Sequence, residues 1–326
     1  MTTICRLALA VLAALSLYPD AAAAQEYPSR AITLLVPFAA GGPTDIVART
    51  LGLAIGKVLK QPIIVENAVG AGGTIAPTKL KNANPDGYTL LIAHIGMSTA
   101  PALFRTLPFK PLEDFEYVGE VVDVPMTLIG KPEIPPKDLK ALLLYIKANK
   151  DKISFANAGI GSASHLCGLL FMSAIETELV TVPYKGTAPA MNDLLGGQVD
   201  ILCDQTTQTT PYINAGRVKA YGTTSRTRLE TLKNLPTLAE SGLPGFEVVV
   251  WNAVYAPKGT PKPVIDKLVA ALQAAIQDVA FVQKMSDLGG QVVPLSKATP
   301  DGLRNHLKSE IDRWTPIIRK AGVYAD

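Results

Sequence analysis

The stretch ITLLVPFAAGGPTD, residues 32–45, decides the reading of the chain. Its first five residues, 32–36, are apolar almost without interruption. That is the mark of a strand buried on both faces rather than one with a wet side. Pro37 ends the run, and Phe38-Ala39-Ala40-Gly41-Gly42 forms a glycine turn. A helix then begins near Pro43 or Thr44, because proline is tolerated in a helix's first turn. Ile46, Val47, Leu51, Ile55 and Leu59 recur on one face at helical spacing. Strand, glycine turn and helix make one βα unit of a parallel sheet. Such a turn leaves free backbone N–H groups, at the positive end of the helix dipole, just beyond the strand.

The same grammar repeats outward from this unit. Residues 63–65 are a second strand, 70–73 a second glycine turn leading to a helix near Thr74, and 88–93 a third buried strand. A second pass starts near residue 153. It holds a strand at 153–156, a glycine turn at 157–161, a helix capped by Ser162 or Ser164, a strand at 179–182, a turn at 184–187, a short helix at 188–195 and a strand at 199–202. Two extended segments, 117–129 and 246–255, join these halves, with a strand at 219–223 between them. Amphipathic helices at about 262–278, 279–288 and 300–320 close the chain. The expected fold class is α/β with two lobes, each a mainly parallel sheet flanked by helices. Residues 25–126 and 248–326 form lobe 1, which the chain leaves and re-enters, and 127–247 form lobe 2. The cleft between them is a ligand site, and the two crossings are its hinge.

Length agrees, since 326 residues exceed the ~250–300 at which a single core stops growing. A net charge of +3 with 18% charged residues excludes a disordered charged tail and argues against nucleic acid as partner. It does not argue against a small anion, which backbone amides and hydroxyls can hold. Residues 1–24 read as a cleaved signal peptide: Arg6, an apolar run at 7–17, then Ala22-Ala23-Ala24. The apolar run is shorter than the ~20 residues a bilayer span needs. The expected destination is the periplasm. There, Cys167 and Cys203 are either a disulfide or two separate buried thiols.

Four turns have the make-up to grip an anion: 38–45, 70–74, 157–164 and 184–187, two from each lobe. The contact candidates among them are Phe38, Ala39, Gly41, Gly42, Thr44, Asp45, Thr74, Gly161, Ser162 and Ser164. His94 follows a buried strand and lines the cleft. Asp204 also follows a strand, where it either faces the cleft or caps a turn. Trp251 and Tyr255 read as hinge packing, His165 as helix-start packing, and His306 as a solvated residue of the last helix. The stretch at 159–164, GIGSAS, lacks the last glycine and the downstream acidic residue of a dinucleotide site. There is no nucleophile elbow and no metal-spaced cluster. No cofactor, metal or catalytic group is expected.

At the level of whole blocks the chain resembles the tripartite tricarboxylate transporter substrate-binding proteins, the Bug family of periplasmic receptors. The blocks are YPSRAITLLVPFAAGGPTDIVAR (27–49), VENAVGAGGTIA (65–76), NPDGYTLL (84–91), PLEDFEYVGEV (111–121), FANAGIGSASHL (155–166), VPYKGTAPAMNDLLGGQVDILCD (182–204) and PTLAESGLPGFEVVVWNAVYAPKGTP (236–261). The resemblance implies a Venus-flytrap fold of type II-like form, and a carboxylate gripped by the turns at 38–45 and 159–164. It also implies an acidic position, Asp204, at the cleft. The partners implied are a small carboxylate and the integral-membrane permease subunits that receive it, with the receptor itself a monomer. One stretch departs from the family pattern. Gly96 and Met97 stand where many members carry Thr-His, and Ala100 where they carry Asn. The ligand expected is therefore a bulkier, partly apolar carboxylate, such as an aromatic mono- or dicarboxylate like terephthalate, touched by Met97 with Ser98 and Thr99 as replacement hydroxyls. A periplasmic sensor would share the fold and site, whereas a hydrolase would need an oriented base that the lone histidines do not provide.

Overall fold

A computed structural model describes residues 26–322 and 324–325 of the chain, so the signal-peptide reading of residues 1–24 lies outside the described residues. Strand β1 (Ile32–Val36) pairs in parallel with β2 (Ile63–Asn67) on one side and β3 (Thr89–His94) on the other. Helix α1 (Pro43–Leu59) follows β1 with Pro43 in its first turn, and its face of Val47, Leu51, Ile55 and Leu59 is buried. The helix stops at Lys60, which takes the left-handed conformation. After the second glycine turn comes α2 (Ile75–Lys81), and after β3 comes α3 (Gly96–Leu103).

The long strand β4 (Phe115–Gly130) is where the molecule changes partners. Up to Pro125 it runs antiparallel to β9 (Val249–Pro257), with the short β10 (Gln291–Val292) also attached. From Met126 onward it pairs instead with β7 (Ile201–Gln205) and β8 (Lys219–Thr223). In the second half β5 (Ser154–Asn157) lies parallel to both β6 (Val180–Pro183) and β7. The strand order is β2-β1-β3-β9-β4-β7-β5-β6, with β8 and β10 on β4. Each half thus holds three parallel strands, and the crossing strands β4 and β9 make the whole sheet mixed. Because β9 inserts between β3 and β4, the C-terminal part of the chain returns to the first half.

The remaining helices are α4 (Leu139–Asn149), α5 (Ala163–Ala174), α6 (Thr187–Leu195), α7 (Thr206–Asn214), α8 (Lys262–Ala275), α9 (Val279–Asp287) and α10 (Pro300–Ala321). Two of these, α4 and α7, were not expected from sequence, and neither was α3. Helix α3 (GMSTAPAL) opens with Gly96 and contains Pro101, both poor helix formers. Packing against α10 and β3 holds it. Helix α7 opens on the polar run TTQTT, which reads as a loop yet is wholly buried. Helix α4 carried an unread signal, Asp138, whose carboxylate accepts the Ala141 N–H at its start. The strand placed at 199–202 lies two to three residues further on, at Ile201–Gln205.

One apolar core, which includes Val47, Leu51, Val121 and Leu272, lies in the first half. A small one around Met191 and Leu194 lies in the second. A third runs between the halves through Met126, Leu128, Phe155, Trp251 and Tyr255. Trp251 and Tyr255 are packed as expected for the crossings. His306 is not solvated: its Nδ1 lies 2.7 Å from the fully buried Glu120 of β4, and its ring packs on Trp251. The helical spacing of α10 shows an amphipathic face but not that β4 places a carboxylate beneath it. Cys167 of α5 and Cys203 of β7 are joined as a disulfide, which resolves the two readings left open by the sequence.

Candidate functional site

The four glycine turns meet. The Ala39 N–H donates to the Lys185 carbonyl at 3.1 Å, tying the first turn of one half to the last turn of the other. Gly186 (φ +137) makes that approach feasible, since a Cβ there would lie 2.8 Å from the Ala39 nitrogen. Across the same gap, a Cβ on Gly72 (φ +60) would collide with the Ile160 carbonyl. These glycines serve contact between halves as well as turn geometry.

Two adjoining cavities lie between the turns, sharing Phe38 and His94 as a common wall. The first, a narrow space of about 20 Å³, is mostly apolar: Pro37, Pro77, Ala93, Met97, Ala100, Phe104 and Phe109, beside Gly72, Gly73, Thr74, Gly96 and Gly161. The second, also about 20 Å³, is mostly polar: Thr44, Ser162, Ser164, Thr187, Asp204 and Gln205, with Pro43, Ala158 and Ala163. Phe38 and His94 stack nearly parallel, with ring centroids 5.0 Å apart. The Gly96 N–H donates to His94 Nδ1, so the neutral ring carries its proton on Nε2. Burial pushes this imidazole down to about 4, which keeps it neutral near pH 7.

The turn at 157–164 is built from neutral groups. Ser162 caps α5, its Oγ accepting from the His165 N–H, and lies 3.1 Å from the Ser164 hydroxyl. The Ser164 Oγ in turn accepts from the Ala158 N–H at 2.7 Å. His165 Nδ1 accepts from the Gly161 N–H, and burial lowers this ring to about 4 also. Its packing role at the helix start is the expected one.

Asp204 ends β7 inside the polar cavity and is 1% exposed. Among the described residues its Oδ2 has no hydrogen-bond partner. Burial raises it to about 8, although the Gln205 N–H and the Thr187 hydroxyl pull the other way. Among the described residues, no lysine or arginine lines either cavity.

Nine of the residues singled out from sequence therefore line the cavities: Phe38, Thr44, Thr74, His94, Met97, Gly161, Ser162, Ser164 and Asp204. Six stand behind them. Asp45 is a brace: its carboxylate accepts from the Gly41 N–H, Arg49 and Asn67 Nδ2, and Asn67 also donates to the Phe38 carbonyl. Gly41 is committed to that brace, Gly42 donates to the Ala39 carbonyl, and Ala39 bonds across to Lys185. The Ser98 and Thr99 hydroxyls donate to the Ile95 and Gly96 carbonyls of their own helix, so they do not replace the missing polar groups. Thr187, Gln205 and the apolar wall of Phe104 and Phe109 were missed. Thr187 lay in a turn already singled out. The pairing of Thr187 Oγ1 with Gln208 Oε1 at 2.8 Å depends on α7, which sequence did not reveal.

The family model described as "Tripartite tricarboxylate transporter family receptor" matches residues 47–323. The chain belongs to this family. Among solved structures it is similar to periplasmic binding protein BugD, with 52% identity and a TM-score of 0.90 over 91% of this chain and 99% of that one. It is similar to MatC of Rhodopseudomonas palustris, solved with bound malate, at 39% identity and TM-score 0.86, covering 90% and 100%. It is also similar to R. palustris Rpa4515, solved with adipate, at 30% identity and TM-score 0.86, covering 92% and 99%. The fold is therefore that of the periplasmic binding proteins, and the family is one of solute receptors rather than enzymes.

Proposed function

We propose that this receptor captures a small, partly apolar carboxylate between its two halves in the periplasm and delivers it to an integral-membrane permease. The observation that carries the reading is the pairing of a polar cavity with an apolar one across the Phe38–His94 wall. Each cavity as it stands holds only about 20 Å³, so the halves must part to admit the ligand; a carboxylate head then meets the hydroxyls, His94 and Asp204, and a carbon body meets Met97, Ala100, Phe104 and Phe109. The malate and adipate found in two relatives support a carboxylate, and adipate's carbon chain supports an apolar body. The moving parts we assign are residues 25–126 with 248–326, and 127–247. The change of β4's partners between Pro125 and Met126 supports that division. Export by the 1–24 segment supplies the compartment.

A thermal-shift series with malate, adipate, benzoate and terephthalate tests this, since a ligand of the folded state raises the melting temperature. The expected order places adipate or an aromatic acid above malate. No shift with any carboxylate sinks the reading, and malate alone shifting the protein sinks its apolar half.

A further inference from the structure

Asp204 poses a problem for any anionic ligand. A carboxylate entering the polar cavity meets a second carboxyl group whose Oδ2 is buried and unpartnered. The elements around Asp204 supply nothing positive. Its neighbour in register on β4 is Thr127. Helix α6 offers Thr187 and helix α7 offers Gln208, which are bonded to each other. The turn at α5 offers Ser162 and Ser164, with His165 behind them, and β3 offers His94. Both histidines are held neutral by burial. Two unscreened carboxylates in such a space repel strongly, because the low-dielectric surroundings magnify the interaction. An acidic side chain kept protonated turns the same position into a hydrogen-bond donor, and a short charge-assisted bond to a carboxylate is among the stronger kinds.

Resting on the carboxylate reading above, we propose that Asp204, itself a neutral carboxylic acid, recognises the ligand by donating its proton in a hydrogen bond to a ligand carboxylate oxygen, so that capture of the anion holds that proton in place and takes one up wherever free Asp204 is ionised. The proton comes from solvent when the free protein's Asp204 is ionised, and no covalent bond is made or broken. The direction in which burial drives the group agrees with this role. The specificity that results is for an anion over an amino acid or amine: an ammonium group would find a neutral partner and the histidine N–H donor.

Calorimetric titration of the purified protein with malate, adipate and benzoate, each in two buffers of different ionisation enthalpy, counts the protons exchanged. The expected result is net proton uptake near pH 9, where free Asp204 is ionised, and little near pH 6, where it already carries its proton, with affinity falling as pH rises through about 8, by at most about tenfold per unit for one proton. Asp204→Asn removes the uptake and flattens the profile, while Asp204→Ala weakens binding further than Asp204→Asn does. Binding near pH 9 without proton uptake, or a pH profile that persists in Asp204→Asn, overturns the inference while leaving the carboxylate reading intact. If none of the three acids binds, the carboxylate reading fails. The Asp204 carboxyl carbon resonance, assigned by its loss in Asp204→Asn, then decides the rest. A group still neutral near pH 7 sustains the donor role, and one titrating below pH 5 overturns it.

Discussion

Two buried aspartates sit at the mouths of the two halves, and they do opposite things. Asp45, in the first turn of α1, is surrounded by the Gly41 N–H, the Asn67 amide and Arg49. Burial by itself would raise its carboxyl, but these partners outweigh burial and hold it below the usual range. Asp204, at the end of β7, has an oxygen with no partner, and burial raises it to about 8. Burial alone does not tell a structural carboxylate from a site carboxyl. What separates them is whether the surrounding hydrogen bonds are already made. A brace uses all its bonds inside the protein, whereas a binding group keeps one for the ligand.

The largest effect on this contrast should come from the covalent tie. Cys203 precedes Asp204, and its bond to Cys167 fastens β7 to α5 across 36 residues of sequence. Cys167→Ala with Cys203→Ala should lower stability by about 3–4 kcal/mol on chain entropy. It should loosen the Asp204 side while amide exchange around Asp45 stays as slow as before. Equal loosening on both sides would break the distinction. Next, Asp45→Ala removes the acceptor for three donors and should cost about 2–3 kcal/mol in chemical denaturation. Arg49 is half-exposed, which trims its share. A loss under about 0.5 kcal/mol would show that the brace is idle.

The pH dependence of stability sharpens the comparison further. Asp204's raised folded value means that its favourable contribution is complete below the unfolded carboxylate value and is lost as pH climbs through about 8. His94 and His165 have the opposite sense. Their lowered values remove stability as pH falls from the ordinary histidine range through about 4. Above about pH 7.5, a unit beyond the ordinary histidine value, these two histidines are silent, so from there to about pH 8.5 stability should fall with rising pH by at most about 1.4 kcal/mol. Asp204→Asn should abolish that slope, and a slope unchanged in the variant would remove Asp204 as its source. The smallest effect expected is from Ser164→Ala, about 1 kcal/mol, because it orphans the Ala158 N–H.

Most of the architecture was legible because buried parallel strands announce themselves as apolar runs. β1, β3 and β5 lie within a residue of where their sequences place them. The glycine turns were legible as turns, and four of them do converge. Less visible was how each turn's residues divide between wall and brace. Gly41 and Asp45 read as an anion cradle, but Asn67, twenty-two residues beyond Asp45, draws both into an internal network. Ser98 and Thr99 read as free hydroxyls, yet the helix that consumes them contains Gly96 and Pro101 and exists through packing on α10. His306 read as solvated because the partner that claims it, Glu120, is far away in sequence. These readings turned on long-range partners that local pattern does not encode, whereas α4 was missed despite a local signal, its Asp138 cap.

The central claim is best tested by a crystal structure of the complex with whichever carboxylate gives the largest thermal shift. The ligand carboxylate should lie in the polar cavity, about 2.5–2.7 Å from Asp204 Oδ2, with its carbon body against Met97 and Phe104. A carboxylate seated instead among Met97, Phe104 and Phe109, or a ligand outside both cavities, would contradict the account.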